Sequence, residues 1–121
     1  VVSNSEGRLQ ELFERVGLAG AFEVVIDSAH EGVRKPEPEI FHRALQRLGL
    51  PPRRALYAGD LPAVDVDGAV AAGLRAALID PFAFYPEHTS SPRYPSVAAL
   101  VDALLASADP AGAEAVRPRR R

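Results

Sequence analysis

Hydrophobic and polar residues follow two different rhythms along this chain. Short apolar runs, typical of buried β-strands, occur at residues 1–2, 22–27, 55–58 and 75–80. Between them lie segments whose apolar residues recur every three or four positions, as they do on one face of a helix. Strands and helices therefore alternate strictly. This alternation predicts an α/β fold, a three-layer α/β/α, Rossmann-like domain with a parallel sheet and helices on both faces.

Glycines mark the ends of three of the segments with helical spacing. Gly17, Gly49 and Gly73 each follow the last apolar position of such a segment, and glycine commonly ends a helix. The first segment is amphipathic, with an apolar face that includes Leu12 and Val16. The predicted helices cover residues 6–16, 38–48, 65–72 and 96–106, and the Gly- and Pro-containing segments 28–38 and 81–95 are predicted to be irregular.

Length and composition predict one globular domain at residues 1–106. The chain has 121 residues, of which 47% are hydrophobic and 25% charged. Its net charge of −2 provides no general attraction to nucleic acid or membrane, so neither is an expected partner. Cysteine is absent, which excludes disulfides and thiolate metal sites. No apolar run approaches the roughly 18 residues of a membrane span, so we expect a cytoplasmic protein. Residues 107–121, rich in Ala, Pro and Arg, are predicted to be a disordered tail.

Polar side chains follow three of the predicted strands. Ser3 and Asn4 come after the first strand, and Lys35 lies in the segment after the second. Asp60 and Asp65 follow the third. Because the carboxyl ends of parallel strands meet at the edge where open sheets bind ligands, we expect these side chains to lie together. A hydroxyl and an ammonium suit phosphate oxygens, and carboxylates suit Mg²⁺. The alternative is that they are ordinary turn, cap and surface residues.

The order and spacing of these residues resemble the haloacid dehalogenase superfamily of hydrolases. Residues 1–5, Val-Val-Ser-Asn-Ser, resemble its second motif, whose Ser or Thr binds the phosphoryl group. Residues 22–41 resemble its third motif, whose Lys neutralises the nucleophile and the transferred phosphoryl group. Residues 59–73 resemble its fourth motif, whose acids bind Mg²⁺. The Gly-Asp form of this motif resembles that of the Mg²⁺-dependent phosphatases, whereas true dehalogenases carry a different, metal-free sequence there.

The resemblance covers residues 1–84 and implies a role for each candidate. It implies hydrolysis of a small phosphorylated substrate, a phosphomonoester, with Mg²⁺ as the cofactor. The implied sites are Lys35 as the catalytic residue, Ser3, Asn4 and Lys35 for phosphate, and Asp60 and Asp65 for the metal.

The family's first motif has no clear counterpart in the sequence. That motif carries an Asp nucleophile, an Asp acid/base two residues later, and then a Thr. Residues 65–68, Asp-Val-Asp-Gly, have a similar form, but Ala69 stands where Thr is expected and residues 61–64 make a poor strand. The resemblance therefore implies the C-terminal part of a core domain, truncated at its N-terminus, without the nucleophile motif or the cap domain. Such a chain is expected to be inactive alone.

The absent motif leaves the function open between alternatives. In the family's sheet, the first-motif strand lies between the strands that here end at Ser3 and Ala58. The two flanking strands either pair directly or leave open edges for another polypeptide, because unpaired strand edges seek partners. The alternatives to an enzyme are a non-catalytic remnant that binds Mg²⁺ or phosphate, and an interaction module. Such a module would self-associate as a homodimer, or pair with another chain, through its open sheet edges.

Overall fold

The structure, a computed structural model, describes residues 1–107. Its strands are β1 (Val2–Ser3), β2 (Ile26–Asp27), β3 (Leu56–Gly59), β4 (Arg75–Ile79) and β5 (Arg93–Tyr94). Its α-helices are α1 (Leu9–Arg15), α2 (Ser28–Glu31), α3 (Pro38–Leu48), α4 (Asp67–Ala71) and α5 (Val97–Ala106). A 3₁₀ turn covers Pro52–Arg54, and a π-helical turn covers Pro62–Val66. All paired strands are parallel, which confirms the predicted α/β architecture.

Several elements differ from their predicted bounds. Only the last two residues of the predicted strand 22–27 pair with β1, in the register Val2 with Ile26 and Ser3 with Asp27. The predicted loop 28–38 begins with α2, because the Asp27 side chain accepts a hydrogen bond from the Ala29 N–H and caps that helix. Strand β5 lies in the predicted irregular segment 81–95, where it pairs with the carboxyl end of β4.

The strands form two sheets rather than one. One sheet has the order β1-β2 and the other has the order β3-β4-β5, and among residues 1–107 no ladder joins β1 to β3. A cavity of about 360 Å³ lies between them, lined mainly by apolar residues that include Val2, Val24, Leu45, Leu56 and Leu74. We call this space the inter-sheet cleft. Of the two arrangements expected from the sequence, direct pairing of the flanking strands is therefore absent from the described part of the chain.

The core lies between helices α3 and α4 and the strands beneath them. Helix α3 begins at Pro38, is ended by Gly49 in the left-handed conformation, and buries one face. Phe41 on that face packs edge-to-face against Tyr57 of β3, with ring centroids 5.0 Å apart. The buried cluster consists of Ile26, Ile40, Phe41, Ala44, Leu45, Val66, Ala69, Ala72, Leu74, Ala76 and Leu78.

Helix α1 is shorter than predicted, and its apolar face is not part of this core. None of its residues is buried, and Leu12 is 50% exposed. Val16, predicted as the last residue of the helix, is its C-cap and is 58% exposed. The aromatic contact of α1 is between Phe13 and Phe22, at 5.1 Å between ring centroids. The amphipathic pattern therefore indicated the helix correctly but not a buried face.

A buried carboxylate organises the loop that follows β4. The side chain of Asp80 is 1% exposed and forms an ion pair with Arg93 at 3.1 Å. It also accepts hydrogen bonds from the N–H groups of Phe84 and Tyr85, both at 2.9 Å. Burial by itself raises the pKa of the Asp80 carboxyl, but these backbone donors and Arg93 outweigh burial, so the net shift is downward. Asp80 therefore stays ionised and holds the loop against β5.

The described residues end next to the predicted domain boundary at residue 106. Helix α5 ends at Ala106, and Ser107 follows it as the C-cap. Residues 108–121, which make up almost all of the predicted tail, lie outside the described residues, so both the tail and the domain boundary stay predictions. No helix within residues 1–107 has the length and apolar character needed to cross a membrane. The cytoplasmic location also stays a prediction.

Candidate functional site

A buried ion pair joins Lys35 and Asp65, two of the candidates from the sequence. The Lys35 Nζ lies 2.6 Å from the Asp65 Oδ1, and the two side chains are 12% and 4% exposed. Lys35 follows α2, and Asp65 lies in the π-helical turn after β3. The loops after β2 and β3 therefore deliver an ammonium and a carboxylate to one point, as the parallel topology predicted.

The second oxygen of Asp65 is held by the backbone. Its Oδ2 accepts hydrogen bonds from the N–H groups of Asp60 at 3.1 Å and Leu61 at 3.0 Å. The carboxylate sits directly over Gly59, where a Cβ atom would overlap the Asp65 side chain. Glycine is therefore required at the end of β3 by the close approach of this carboxylate. Asp65 is fixed in position by three donors before any ligand binds.

Tyr57 completes this cluster and was missed by the sequence reasoning. Its hydroxyl accepts a hydrogen bond from the Lys35 Nζ at 3.0 Å and donates one to the Val2 carbonyl at 3.0 Å. A signal was present, because Tyr57 lies two residues before Gly59 and therefore on the same face of β3. That is the face over which Asp65 sits. A tyrosine within an apolar strand needs a partner for its hydroxyl when it is buried.

The environment keeps Lys35 charged and Tyr57 neutral. Burial lowers the pKa of the Lys35 ammonium, but its hydrogen bonds with Asp65 and Tyr57 outweigh burial, so the net shift is upward. Burial is the main cause that raises the pKa of the Tyr57 phenol, and the nearby Lys35 ammonium only partly offsets it. At neutral pH the cluster therefore contains one ammonium, one neutral hydroxyl and the Asp65 side chain.

Asn4 fixes the backbone of Lys35. Its Oδ1 accepts from the Lys35 N–H at 2.8 Å, and its Nδ2 donates to the Lys35 carbonyl at 3.0 Å. This reciprocal pair ties the segment after β1 to the segment that carries the ammonium. The structure thus brings Asn4 to Lys35, as predicted, and shows its amide engaged with the backbone. A direct contact between Asn4 and phosphate stays a prediction.

The hydroxyl of Ser3, the last residue of β1, contacts the loop that follows it, and that loop is tied to the start of α2. Ser3 Oγ and Ser5 Oγ are 2.5 Å apart. The Ser28 Oγ accepts from the Ser5 N–H at 2.9 Å and donates to the Ser5 carbonyl at 3.1 Å. These two hydrogen bonds between Ser5 and Ser28 hold the loop in place next to β2. The role of Ser3 toward phosphate stays a prediction.

Asp27 is a second organising residue that the sequence reasoning did not single out. It is buried, and its carboxylate accepts from the N–H groups of Gly7, Leu9 and Ala29 at 3.0–3.2 Å. Its position at the end of an apolar strand was a signal, because a carboxylate there is buried only when donors surround it. Asp27 therefore holds the segment that follows Ser3 and Asn4.

Asp60 is the candidate with an available carboxylate. It is exposed, and within residues 1–107 its side chain has no hydrogen bond or ion pair. Such a carboxylate fits Mg²⁺, which takes oxygen ligands. Asp65 fits less well in this arrangement, because both of its oxygens are already bonded. The described residues contain no group of three or more His, Cys, Asp or Glu side chains suited to a metal ion. The chain thus offers one free acid and one engaged acid, and the metal assignments stay predictions.

Comparison with known proteins identifies the family of this site. A family model of haloacid dehalogenase-like hydrolases matches residues 1–73. The chain belongs to the haloacid dehalogenase-like hydrolases. This confirms the resemblance inferred from the motifs. The matched segment contains every candidate site residue, from Ser3 to Asp65.

Two relatives and one solved structure illustrate what the chain is similar to. The chain is 38% identical over 79 residues to haloacid dehalogenase-like hydrolase domain-containing protein 3 of Mus musculus, covering 65% of this chain and 32% of that protein. It is 44% identical over 64 residues to the phosphoserine phosphatase of Thermus thermophilus, covering 53% of this chain and 26% of that enzyme. A HAD phosphatase from Thermococcus onnurineus has a similar structure, with a TM-score of 0.75 and 28% identity over 81% of this chain and 46% of that one. The matches thus span less than half of each of these proteins.

Proposed function

We propose that this chain carries the phosphate-binding and Mg²⁺-binding side of a phosphomonoester phosphatase site. The single observation behind the proposal is the Lys35–Asp65 pair, buried at the carboxyl edge of parallel strands and 2.6 Å across. A buried ammonium at that edge attracts the oxygens of a phosphate group. Relatives named as phosphatases, such as the Thermus thermophilus enzyme, support the choice of a phosphomonoester as the substrate class.

Each residue of the site has a proposed task. Lys35 neutralises phosphoryl oxygens, and Asn4 holds its backbone so that the ammonium stays at the strand ends. Ser3 supplies a hydroxyl to the same phosphoryl group. Asp60 is the first ligand proposed for Mg²⁺, because its carboxylate is exposed and free of partners within residues 1–107. Asp65 joins the metal only by releasing part of its present hydrogen bonding.

The metal and the nucleophile limit what this site does alone. Mg²⁺, when bound, supplies positive charge that stabilises a phosphoryl group during transfer. Covalent phosphoryl transfer also needs an activated nucleophile. Asp65 is a poor candidate for that role, because Lys35 and two backbone N–H groups already hold its carboxylate. We propose that the chain by itself binds a phosphoryl group without turning it over.

A turnover assay tests this proposal. The full chain is incubated with p-nitrophenyl phosphate and Mg²⁺, alongside Asp60→Asn and the exposed control Asp102→Asn. We expect no release of p-nitrophenol above the buffer rate for any of the three proteins. Turnover that Asp60→Asn abolishes and Asp102→Asn retains would show that the chain is an active phosphatase. That result would contradict the proposed inactivity while supporting the assigned metal ligand.

A second candidate function is favoured by one specific observation, the split sheet. β1 and β3 each leave an edge unpaired within the described residues, and an apolar cavity separates them. Unpaired edges next to apolar surface are typical sites for pairing with another strand. We therefore propose, as the second candidate, that the chain is an interaction module that binds another polypeptide through the inter-sheet cleft.

A further inference from the structure

The loop that follows β4 exposes two phenylalanine rings. Phe82 and Phe84 are each 73% exposed, and their ring centroids lie 5.5 Å apart. They are two of the five phenylalanines in the chain. The next residue, Tyr85, is partly buried and packs against the core. The loop therefore covers its more polar aromatic residue and leaves the two more apolar ones in solvent, which is the reverse of the usual preference.

The backbone between the two rings is held by a buried carboxylate. The Asp80 side chain accepts from the N–H groups of Phe84 and Tyr85, both at 2.9 Å. Ala83, between the two phenylalanines, has a φ of 53°, a left-handed conformation that costs energy for a residue with a side chain. Its N–H donates to the Asp80 carbonyl at 3.4 Å. A strained turn of this kind persists only where surrounding contacts fix it, and such turns are typical of functional sites.

This turn lies at the sheet edge that carries the proposed phosphoryl site. Strands β3 and β4 are parallel neighbours, with Gly59 opposite Leu78. Neighbouring strands are about 5 Å apart, so Asp60 and Asp80, which follow these strands, begin their loops side by side at the carboxyl edge. Leu61, next to Asp60, is itself 46% exposed. An available carboxylate and a set of exposed apolar side chains therefore leave the same edge from adjacent strands.

The area of the two rings suits a small ligand better than a second protein. A phenylalanine side chain offers about 150–250 Å² of surface, so two rings at 73% exposure present about 300 Å² together. A stable interface between proteins buries roughly 800 Å² on each partner. One aromatic ring of a bound molecule is large enough to cover much of the pair. A small aromatic group is therefore the occupant that the exposed area favours over a second copy of the chain.

We propose that Phe82 and Phe84 bind the organic group of the phosphomonoester and select one that contains an aromatic ring. This inference rests on the proposed function, because the phosphoryl site is what brings the organic group to this edge. Aromatic rings attract one another in offset-stacked and edge-to-face arrangements, which adds affinity that a small alkyl group lacks. The two phenylalanines determine specificity and take no part in phosphoryl chemistry.

Two phosphonates test the selection of an aromatic group. Phenylphosphonate and methylphosphonate carry the same charged group and have no ester bond to hydrolyse. In calorimetric titrations of the full chain with Mg²⁺, we expect phenylphosphonate to bind about three- to tenfold more tightly. The double variant Phe82→Ala/Phe84→Ala is expected to bind both ligands with the affinity that the parent has for methylphosphonate.

Two further variants serve as controls for these titrations. Leu105→Ala removes a 68% exposed apolar side chain from α5 and is expected to retain the preference for phenylphosphonate. Lys35→Met is expected to weaken both phosphonates by the same factor, because the preference depends on the rings and not on the ammonium. The double variant removes only exposed side chains, so an unchanged urea midpoint is expected and would show that a lost preference is not caused by unfolding.

The possible failures are distinguishable from one another. Equal binding of the two phosphonates by the parent would overturn the inference and leave the phosphoryl site intact. A preference that survives in the double variant would also overturn it, because the ring would then bind elsewhere. Absence of binding by either phosphonate would contradict the phosphoryl site and the inference with it. A parent dimer in sedimentation that the double variant abolishes would assign the two rings to a second copy of the chain.

Discussion

Removing either partner of the Lys35–Asp65 pair is expected to destabilise the fold by unequal amounts. In Lys35→Met, the Asp65 carboxylate loses one charged hydrogen bond and keeps the two from Asp60 and Leu61. A hydrogen bond to a charged group contributes about 2 kcal/mol, so a loss of that size is expected. In Asp65→Ala, the ammonium keeps only Tyr57, and two backbone donors lose their acceptor. Breaking a buried pair in this way costs about 4 kcal/mol.

The coupling free energy between Lys35 and Asp65 separates their interaction from the other effects of each substitution. In the double variant neither charge is left unpaired, so we expect it to lose about 2 kcal/mol less than the sum of the single losses. Urea unfolding at pH 7 measures all four proteins, and similar m-values indicate that only stability has changed. Asp65→Asn, which keeps the side-chain shape, replaces Asp65→Ala if the alanine variant does not fold.

A surface ion pair provides the control for this cycle. Arg8 and Glu11 are 2.9 Å apart, but their side chains are 74% and 52% exposed. Their coupling is expected to be much smaller than that of the buried pair and to fall in high salt, because exposed pairs are solvated and screened. Additive losses for Lys35 and Asp65, or a coupling no larger than that of the surface pair, would refute the inference that the site is a preorganised buried pair.

Three further changes test how the site and its supports are held. Gly59→Ala is expected to lower the urea midpoint as Asp65→Ala does, because a Cβ there occupies the space of the Asp65 carboxylate; unchanged stability would contradict that overlap. Asn4→Ala is expected to weaken orthophosphate binding severalfold in a calorimetric titration, since it frees the Lys35 backbone, and an unaltered affinity would argue against positioning by Asn4. The folded-state pKa of Asp80 is lowered, so its stabilisation is present above the ordinary pKa of 3.8 and is lost as the pH falls through the lower folded-state value. Asp80→Asn is therefore expected to melt below the parent at pH 7, and the two are expected to converge below pH 3.8; a difference that persists in acid would contradict this.

The hydrophobic pattern predicted the fold well where local signals were strong. Helix α3 has the predicted bounds, from Pro38 to Leu48, because a proline at its start and a glycine after its end both favour those limits. The parallel pairing followed from strand–helix alternation. The apolar run at 22–27 overstated β2, because the ladder to β1 covers only two residues. Strand pairing depends on distant residues that a local pattern does not contain.

The candidate site was predicted in its charged residues but not in its supporting contacts. Lys35 and Asp65 were identified because unusual polar residues follow apolar strands. Tyr57 was overlooked, since within an apolar strand an aromatic residue is expected to pack rather than to bridge. Asp27 was overlooked because the loop it holds is 18–20 residues away in sequence. Both contacts arise from tertiary packing, which residue spacing along the chain does not encode.

Phosphate binding is the central claim for this chain, and one titration tests it most directly. Orthophosphate is added with and without Mg²⁺ to the parent, to Lys35→Met and to Arg34→Met, and ³¹P NMR follows its binding. Arg34 is the neighbouring, exposed cation, so its variant removes the same charge outside the buried pair. We predict saturable binding that Mg²⁺ strengthens, that Arg34→Met retains and that Lys35→Met loses. Equal binding by Lys35→Met and Arg34→Met, or no binding by the parent, would contradict a phosphoryl site built on Lys35.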